Sequence, residues 1–175
     1  MQISYKTIKY SEQDNQNWFY LLKRQKIIAQ RLAYSGFCDL LDELNMPTHR
    51  VPQIREISQS LENKCQWRLL QIDKLTGLDH YLSLLANKIF PVPSFITGKQ
   101  KVGFHTDADI FHELFGHATM LLNNACAKFL EKLAIFGLNC NRLEKIVVEK
   151  IYWFTIEIGL IKEGEQLRVY GAALL

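Results

Sequence analysis

The run DIFHELFGH, residues 109–117, holds two histidines five apart, His112 and His117, and its reading decides the rest. Further along, Glu157 lies alone in the otherwise apolar run WFTIEIGL, residues 153–160. Two imidazoles and one carboxylate form a transition-metal ligand set. They leave half of an octahedron open, which suits Fe(II) oxygen chemistry. The chain reads first as a mononuclear non-haem iron protein.

The spacing poses a geometric problem. At about 100° per residue, His112 and His117 on an ideal α-helix point roughly 140° apart. The i, i+4 pair of an HExxH zinc site, by contrast, shares one face. Gly116 offers a remedy: by ending the helix or turning left-handed it would bring His117 back toward His112. On spacing alone, two ordinary histidines on an apolar segment are the favoured reading. Glu157 alters the balance. If residues 141–161 form one helix, Trp153, Phe154, Leu160 and Ile161 share its face. No Arg or Lys lies between Ile151 and Ile161. A carboxylate buried on such a face costs on the order of several kcal/mol unless paired or metal-bound. Metal ligation is therefore favoured over a salt bridge from a distant residue.

A chain of 175 residues is read as one domain. With 48% hydrophobic residues it can build a real core. The net charge of +3 is dispersed, and Lys23, Arg24 and Lys26, or Lys99 and Lys101, make no concentrated basic stripe. That argues against nucleic-acid binding. Cys38, Cys65, Cys126 and Cys140 form no CxxC pair, and the opening MQISYKTIKY has no secretory apolar core. Reduced thiols in a cytoplasmic protein are expected. No window approaches the 18 or so apolar residues of a membrane span.

Periodicity predicts a mainly α protein with a few short strands. Helices are expected over 17–44 with a break at Gly36, then over 52–65, over 79–88, stopped before Pro91 and Pro93, and over 125–136 and 141–161. Another opens at Ile110 behind Asp109 as N-cap. The segments 67–72 and 166–175 are expected to be extended, and 95–104 to be β-like or loop. His49 and His80 read as surface or packing residues, and His105 as a pocket residue rather than a ligand.

These residues closely resemble the pterin-dependent aromatic amino acid hydroxylases. DIFHELFGH is similar to that family's iron-binding motif, and IYWFTIEIGL (151–160) to its carboxylate-bearing motif. NWFYLLKRQ (17–25) resembles an early helix, LLANKIFPVPSFI (84–96) the segment before the iron motif, and VYGAALL (169–175) the YGAGLL strand. The resemblance implies a single catalytic domain over residues 1–175, with the family's catalytic fold lacking its C-terminal portion. It implies a monooxygenase that uses Fe(II), tetrahydrobiopterin (or another tetrahydropterin) and O2. The reaction would hydroxylate the ring of an aromatic amino acid, by default phenylalanine to tyrosine in phenylalanine catabolism. His112, His117 and Glu157 would be the iron ligands, and Glu113 the catalytic glutamate beside the pterin. Tyr81 falls where a phenylalanine stacks on the pterin, and Trp153 at an aromatic position lining the substrate pocket. Taken alone, core packing explains these two rings equally well. The family's tetramer-forming C-terminal helix has no counterpart, so a monomer is expected.

Some positions depart from the family pattern. Thr97 stands where the family places an arginine that grips the substrate carboxylate, and a hydroxyl is no bidentate clamp. Lys99 or Lys101 could substitute only as point charges. Ala108 replaces a proline, and KLTGLDHY (74–81) replaces a glycine-rich turn. The sequence stops one residue before a substrate-holding serine, which fits a naturally short protein and a fragment alike. A relative with another substrate and an inactive truncated homologue are the alternatives. A zinc hydrolase with Glu113 as general base fits least.

Overall fold

The computed structural model describes residues 3–74, 77–97 and 108–175. Helix α1 (Glu12–Leu32) begins with a capping box: the Ser11 side chain accepts from the Asp14 N–H, and the Asp14 carboxylate accepts from the Ser11 N–H. Trp18, Leu21, Leu22 and Ala29 form its buried stripe. The Trp18 indole N–H donates to the Pro47 carbonyl at 2.8 Å, so its one polar group is satisfied inside the core. After the break at Gly36 come α2 (Phe37–Leu44) and α3 (Ile54–Cys65).

Strands β1 (Arg68–Ile72) and β2 (Ile89–Pro93) pair in parallel, with Arg68 opposite Ile89 and Ile72 opposite Pro93. Helix α4 (Leu78–Ala86) is the crossover that parallel pairing needs. Residues 89–93, expected only to terminate a helix, are thus a fully buried strand. Pro91 and Pro93 are tolerated because β1 is the only strand partner of β2 among the described residues, so the other edge needs no N–H donors.

Next comes a continuous rod: α5 (Ile110–His112), a π-helical segment π1 (Glu113–Ala118) and α6 (Thr119–Leu121). Apart from His112 it is buried throughout. Phe111 stacks on Phe115 at 5.2 Å, Trp18 meets Phe111 edge-on, and Phe37 packs on Phe115. These contacts set the rod at the centre of a single hydrophobic core. Helix α7 (Asn124–Leu138) is capped by Asn123 and packs on α4; α8 (Arg142–Tyr152) is capped by Asn141 and Glu144.

The single helix expected over 141–161 ends early. Its last turn widens into a second π segment, π2 (Trp153–Glu157), and the chain then forms the antiparallel hairpin β3 (Leu160–Glu163) and β4 (Gln166–Val169). A helix running to 161 would close off Gly159, whose carbonyl accepts from the N–H groups of Tyr170 and Gly171 at 3.1 and 3.0 Å. The tail is extended only to Val169 and then winds into a 3-10 turn, Ala172–Leu174. Most of the segment expected to be β-like or loop over 95–104 lies outside the described residues, and Phe95, Ile96 and Thr97 take the loop alternative. The four cysteines are free, and no helix among the described residues is long and apolar enough to cross a membrane.

Candidate metal centre

The π1 segment solves the spacing problem. Its i→i+5 hydrogen bonding places residues five apart on successive turns of one face. His112 and His117 therefore converge, with their Nε2 atoms 3.1 Å apart and ring planes at 80°. The remedy expected of Gly116 is not the one used. Gly116 neither ends the helix nor turns left-handed, since Gly164 is the only described glycine with positive φ. Its lack of a side chain serves packing: a Cβ there would lie 2.6 Å from the Ala172 Cβ. Asp109 secures the start of the rod. One carboxylate oxygen accepts from the His112 N–H at 3.0 Å and the other from the Thr97 N–H at 2.7 Å.

Glu157 arrives through π2, whose wide turn is closed by the Ile158 N–H donating to the Trp153 carbonyl. One of its oxygens lies 3.2 Å from His117 Nε2 and the other 3.5 Å from His112 Nε2. Its setting differs from the apolar face expected for it. Trp153, Phe154, Leu160 and Ile161 are all exposed, because the widened turn rotates Glu157 away from them and inward. The carboxylate is paired instead with the two imidazoles. Donor atoms bonded to one metal at about 2.1 Å and right angles sit about 3 Å apart, and these three groups already have that spacing.

Glu113 is a second carboxylate within reach. With the two histidines it makes a compact set, all ligand atoms within 4.8 Å. Its nearest approach is 3.8 Å, to His117 alone, so Glu157 is the better third donor. Glu113 is 7% exposed, and its Oε2 has no hydrogen-bond partner among the described residues. An orphaned buried oxygen of this kind suits a ligand that brings an N–H or O–H.

The charges are mutually dependent. Burial opposes ionisation of Glu157, yet His117 and His112 overcome it and hold the carboxyl far below its usual range. Burial likewise opposes charge on His117, but Glu157, with which it hydrogen-bonds, and Glu113 raise it above the usual imidazole value. Glu113 is pushed up by burial, partly offset by the two histidines.

The centre opens on a cavity of about 360 Å³. Leu82, Leu85, Leu130 and Leu133 line it, with Ala108 on one wall and Tyr81, Glu113, Trp153 and Glu157 around the opening to the metal centre. All six candidate residues thus lie in one place, with Trp153 half exposed at the rim. Sequence reasoning missed Tyr152. It lines the same cavity, its ring lies 6.3 Å from His117, and its hydroxyl is 2.7 Å from that of Tyr81. The signal was present in IYWFTIEIGL, one residue before the tryptophan singled out. His49 stacks on Phe19 and His80 is exposed; neither is near the centre. His105, Lys99 and Lys101 lie outside the described residues.

Fold and cluster together define a class: helical proteins in which two imidazoles and one carboxylate converge at an apolar pocket, the donor set of mononuclear non-haem iron. The family described as biopterin-dependent aromatic amino acid hydroxylase matches residues 2–175, and the chain belongs to it. It is 33% identical to the phenylalanine-4-hydroxylase of Pseudomonas aeruginosa over 96% of its own length and 64% of that relative. For the Vibrio cholerae phenylalanine-4-hydroxylase the figures are 32%, 96% and 58%. Among solved structures, the apo phenylalanine hydroxylase of Colwellia psychrerythraea superposes with a TM-score of 0.91 at 34% identity, over 95% of this chain and 64% of that one. The Chromobacterium violaceum enzyme, solved with iron(III) and 7,8-dihydrobiopterin, gives 0.89 at 30% identity, over 94% and 61%. The chain thus spans roughly six-tenths of the length of these relatives.

Proposed function

We propose that the chain is an iron- and tetrahydropterin-dependent monooxygenase that hydroxylates the ring of an aromatic amino acid, phenylalanine to tyrosine. The observation that carries this reading is the convergence of His112, His117 and Glu157 at about 3 Å spacing on one side of an apolar cavity. Membership in the hydroxylase family supports it. Bound ferrous iron and tetrahydropterin would supply the activation of O2.

The chain's own residues would do the rest. His112, His117 and Glu157 would hold the metal. Glu113, with its orphaned Oε2, would accept a hydrogen bond from the pterin. Tyr81 offers it an aromatic face, and Trp153 flanks the ring to be hydroxylated. The leucine-lined wall keeps water from the reacting atoms. The four free thiols support a reducing, cytoplasmic setting, and the chain would act on small molecules.

One observation favours a second reading. Thr97 is tied by its backbone to Asp109, at the entrance to the rod, and offers no cation to a substrate carboxylate. A substrate other than a free amino acid would follow. The test is anaerobic loading with Fe(II), then tetrahydrobiopterin, a panel of aromatic compounds and oxygen, with His112→Ala alongside. Tyrosine from phenylalanine, absent in the variant, supports the first reading. A different oxygenated product supports the second. Iron binding without any product contradicts both.

A further inference from the structure

Tyr81 and Tyr152 meet where α4 approaches the end of α8, hydroxyl to hydroxyl, with rings T-shaped at 5.8 Å. Tyr81 also meets Phe90 at 6.4 Å, Phe90 lies 5.0 Å from His117, and His117 lies 6.3 Å from Tyr152. Four rings therefore close a circuit that includes the second histidine. Both tyrosines line the cavity.

Each hydroxyl carries one proton and two acceptor lone pairs. When two hydroxyls bond to each other, one O–H is used and one remains, and the bond can run in either direction. If Tyr152 donates, the free O–H is on Tyr81; if Tyr81 donates, it is on Tyr152. The pair thus offers one donor to one end or the other, never to both. Glu113 and Glu157 line the same cavity as the two hydroxyls, and of these carboxylates Glu113 raises the Tyr81 hydroxyl more and Glu157 the Tyr152 hydroxyl more.

We propose that this hydroxyl pair is a reversible hydrogen-bond relay coupling ligand binding at Tyr81 to the metal centre at Glu157. The proposal rests on the metal-and-pterin reading above. An acceptor atom on a ligand beside Tyr81 takes that tyrosine's O–H, which commits the Tyr152 O–H to Tyr81. Glu157 then loses a competing donor, and its oxygens are left to the metal. Ligand and metal consequently strengthen each other's binding, by the same factor in both directions. Tyr81 acts here as a positioning residue, through Tyr152. A phenylalanine at position 81 could stack on a ligand but could not relay.

The experiment is a coupling measurement on the full chain. Co(II) affinity is titrated by visible absorption with and without 7,8-dihydrobiopterin, and pterin affinity by quenching of tryptophan emission with and without Co(II). Wild type should show roughly two- to tenfold mutual enhancement, the worth of one hydrogen bond. Tyr81→Phe and Tyr152→Phe should each bring the factor to about one while both ligands still bind, and the double variant should match either single one. A purely structural role would weaken the two affinities without removing their coupling. Wild-type coupling retained in Tyr81→Phe or in Tyr152→Phe overturns the relay. So does wild type that binds both ligands independently, while leaving the metal centre standing. Wild type that binds no Co(II) overturns the relay and the metal-centre reading together.

Discussion

Glu157 and His117 each stabilise the other's charged form, so their contribution to the stability of the metal-free protein has a definite pH window. The Glu157 carboxyl is lowered on folding, so its share is present in full above the ordinary value of 4.5 and is lost as pH falls through its folded value. The His117 imidazole is raised, so its share is present in full below 6.5 and is lost as pH rises through the folded value. Both act fully between 4.5 and 6.5. The difference in melting temperature between metal-free wild type and Glu157→Gln should therefore be greatest in that interval and shrink toward pH 9. A difference that grows with pH would contradict the pairing. For metal binding the sign reverses on the alkaline side, because the proton held by His117 must leave before the metal binds. Co(II) affinity should climb through the raised imidazole range. The three candidate donors themselves were legible, since two histidines and a lone carboxylate in apolar runs are chemically conspicuous. Tyr152 stood in the quoted motif, but its pairing did not show there, because its hydroxyl partner Tyr81 is 71 positions away and nothing in a tyrosine's neighbours announces such a pair.

At the scale of elements, the two π segments are what local pattern failed to show. One extra residue per turn over Glu113–Ala118 or Trp153–Glu157 hardly disturbs helical periodicity, yet it swings His117 and Glu157 onto the metal centre. Strand β2 was hidden for another reason: its prolines read as helix terminators, and their tolerance depends on a parallel partner with an open far edge. The helices themselves, the Asp109 cap and the break at Gly36 followed from residue chemistry. Gly116→Ala is predicted to push π1 off the Ala172 turn, with a loss of about 1–3 kcal/mol in chemical denaturation. It should also weaken Co(II) binding, because the displaced backbone lies between the two histidines. Unchanged metal affinity would show that π1 is not held by that contact. Asn141→Ala removes the α8 capping box and should cost about 1 kcal/mol while leaving Co(II) affinity intact, since α8 fixes Glu157 through π2 rather than through its first turn.

For the whole molecule, the single core explains why a chain of this composition folds, and the rod at its centre explains why the site is rigid. Helix α8 buries Val148 and leaves Leu143, Ile146 and Val147 exposed, a matter of global packing that periodicity cannot decide. A metal held by His112, His117 and Glu157 would bridge two segments far apart in the chain, so it should stabilise the whole fold. At a hundredfold excess over Kd the gain is about 2.7 kcal/mol, or roughly 5–10 °C in Tm for a chain of this size. A melting temperature indifferent to Co(II) would mean that the folded state offers no site.

The most direct test is metal stoichiometry in three proteins: wild type, Glu157→Ala and Glu113→Ala, each titrated anaerobically with Fe(II) and assayed for bound iron after gel filtration. The geometry predicts one iron per chain in wild type, none retained by Glu157→Ala, and near-normal retention by Glu113→Ala, whose carboxylate lies 3.8 Å from one ring and serves the pocket. Loss of iron in Glu113→Ala with retention in Glu157→Ala would contradict the assignment and hand the third ligand to the other carboxylate.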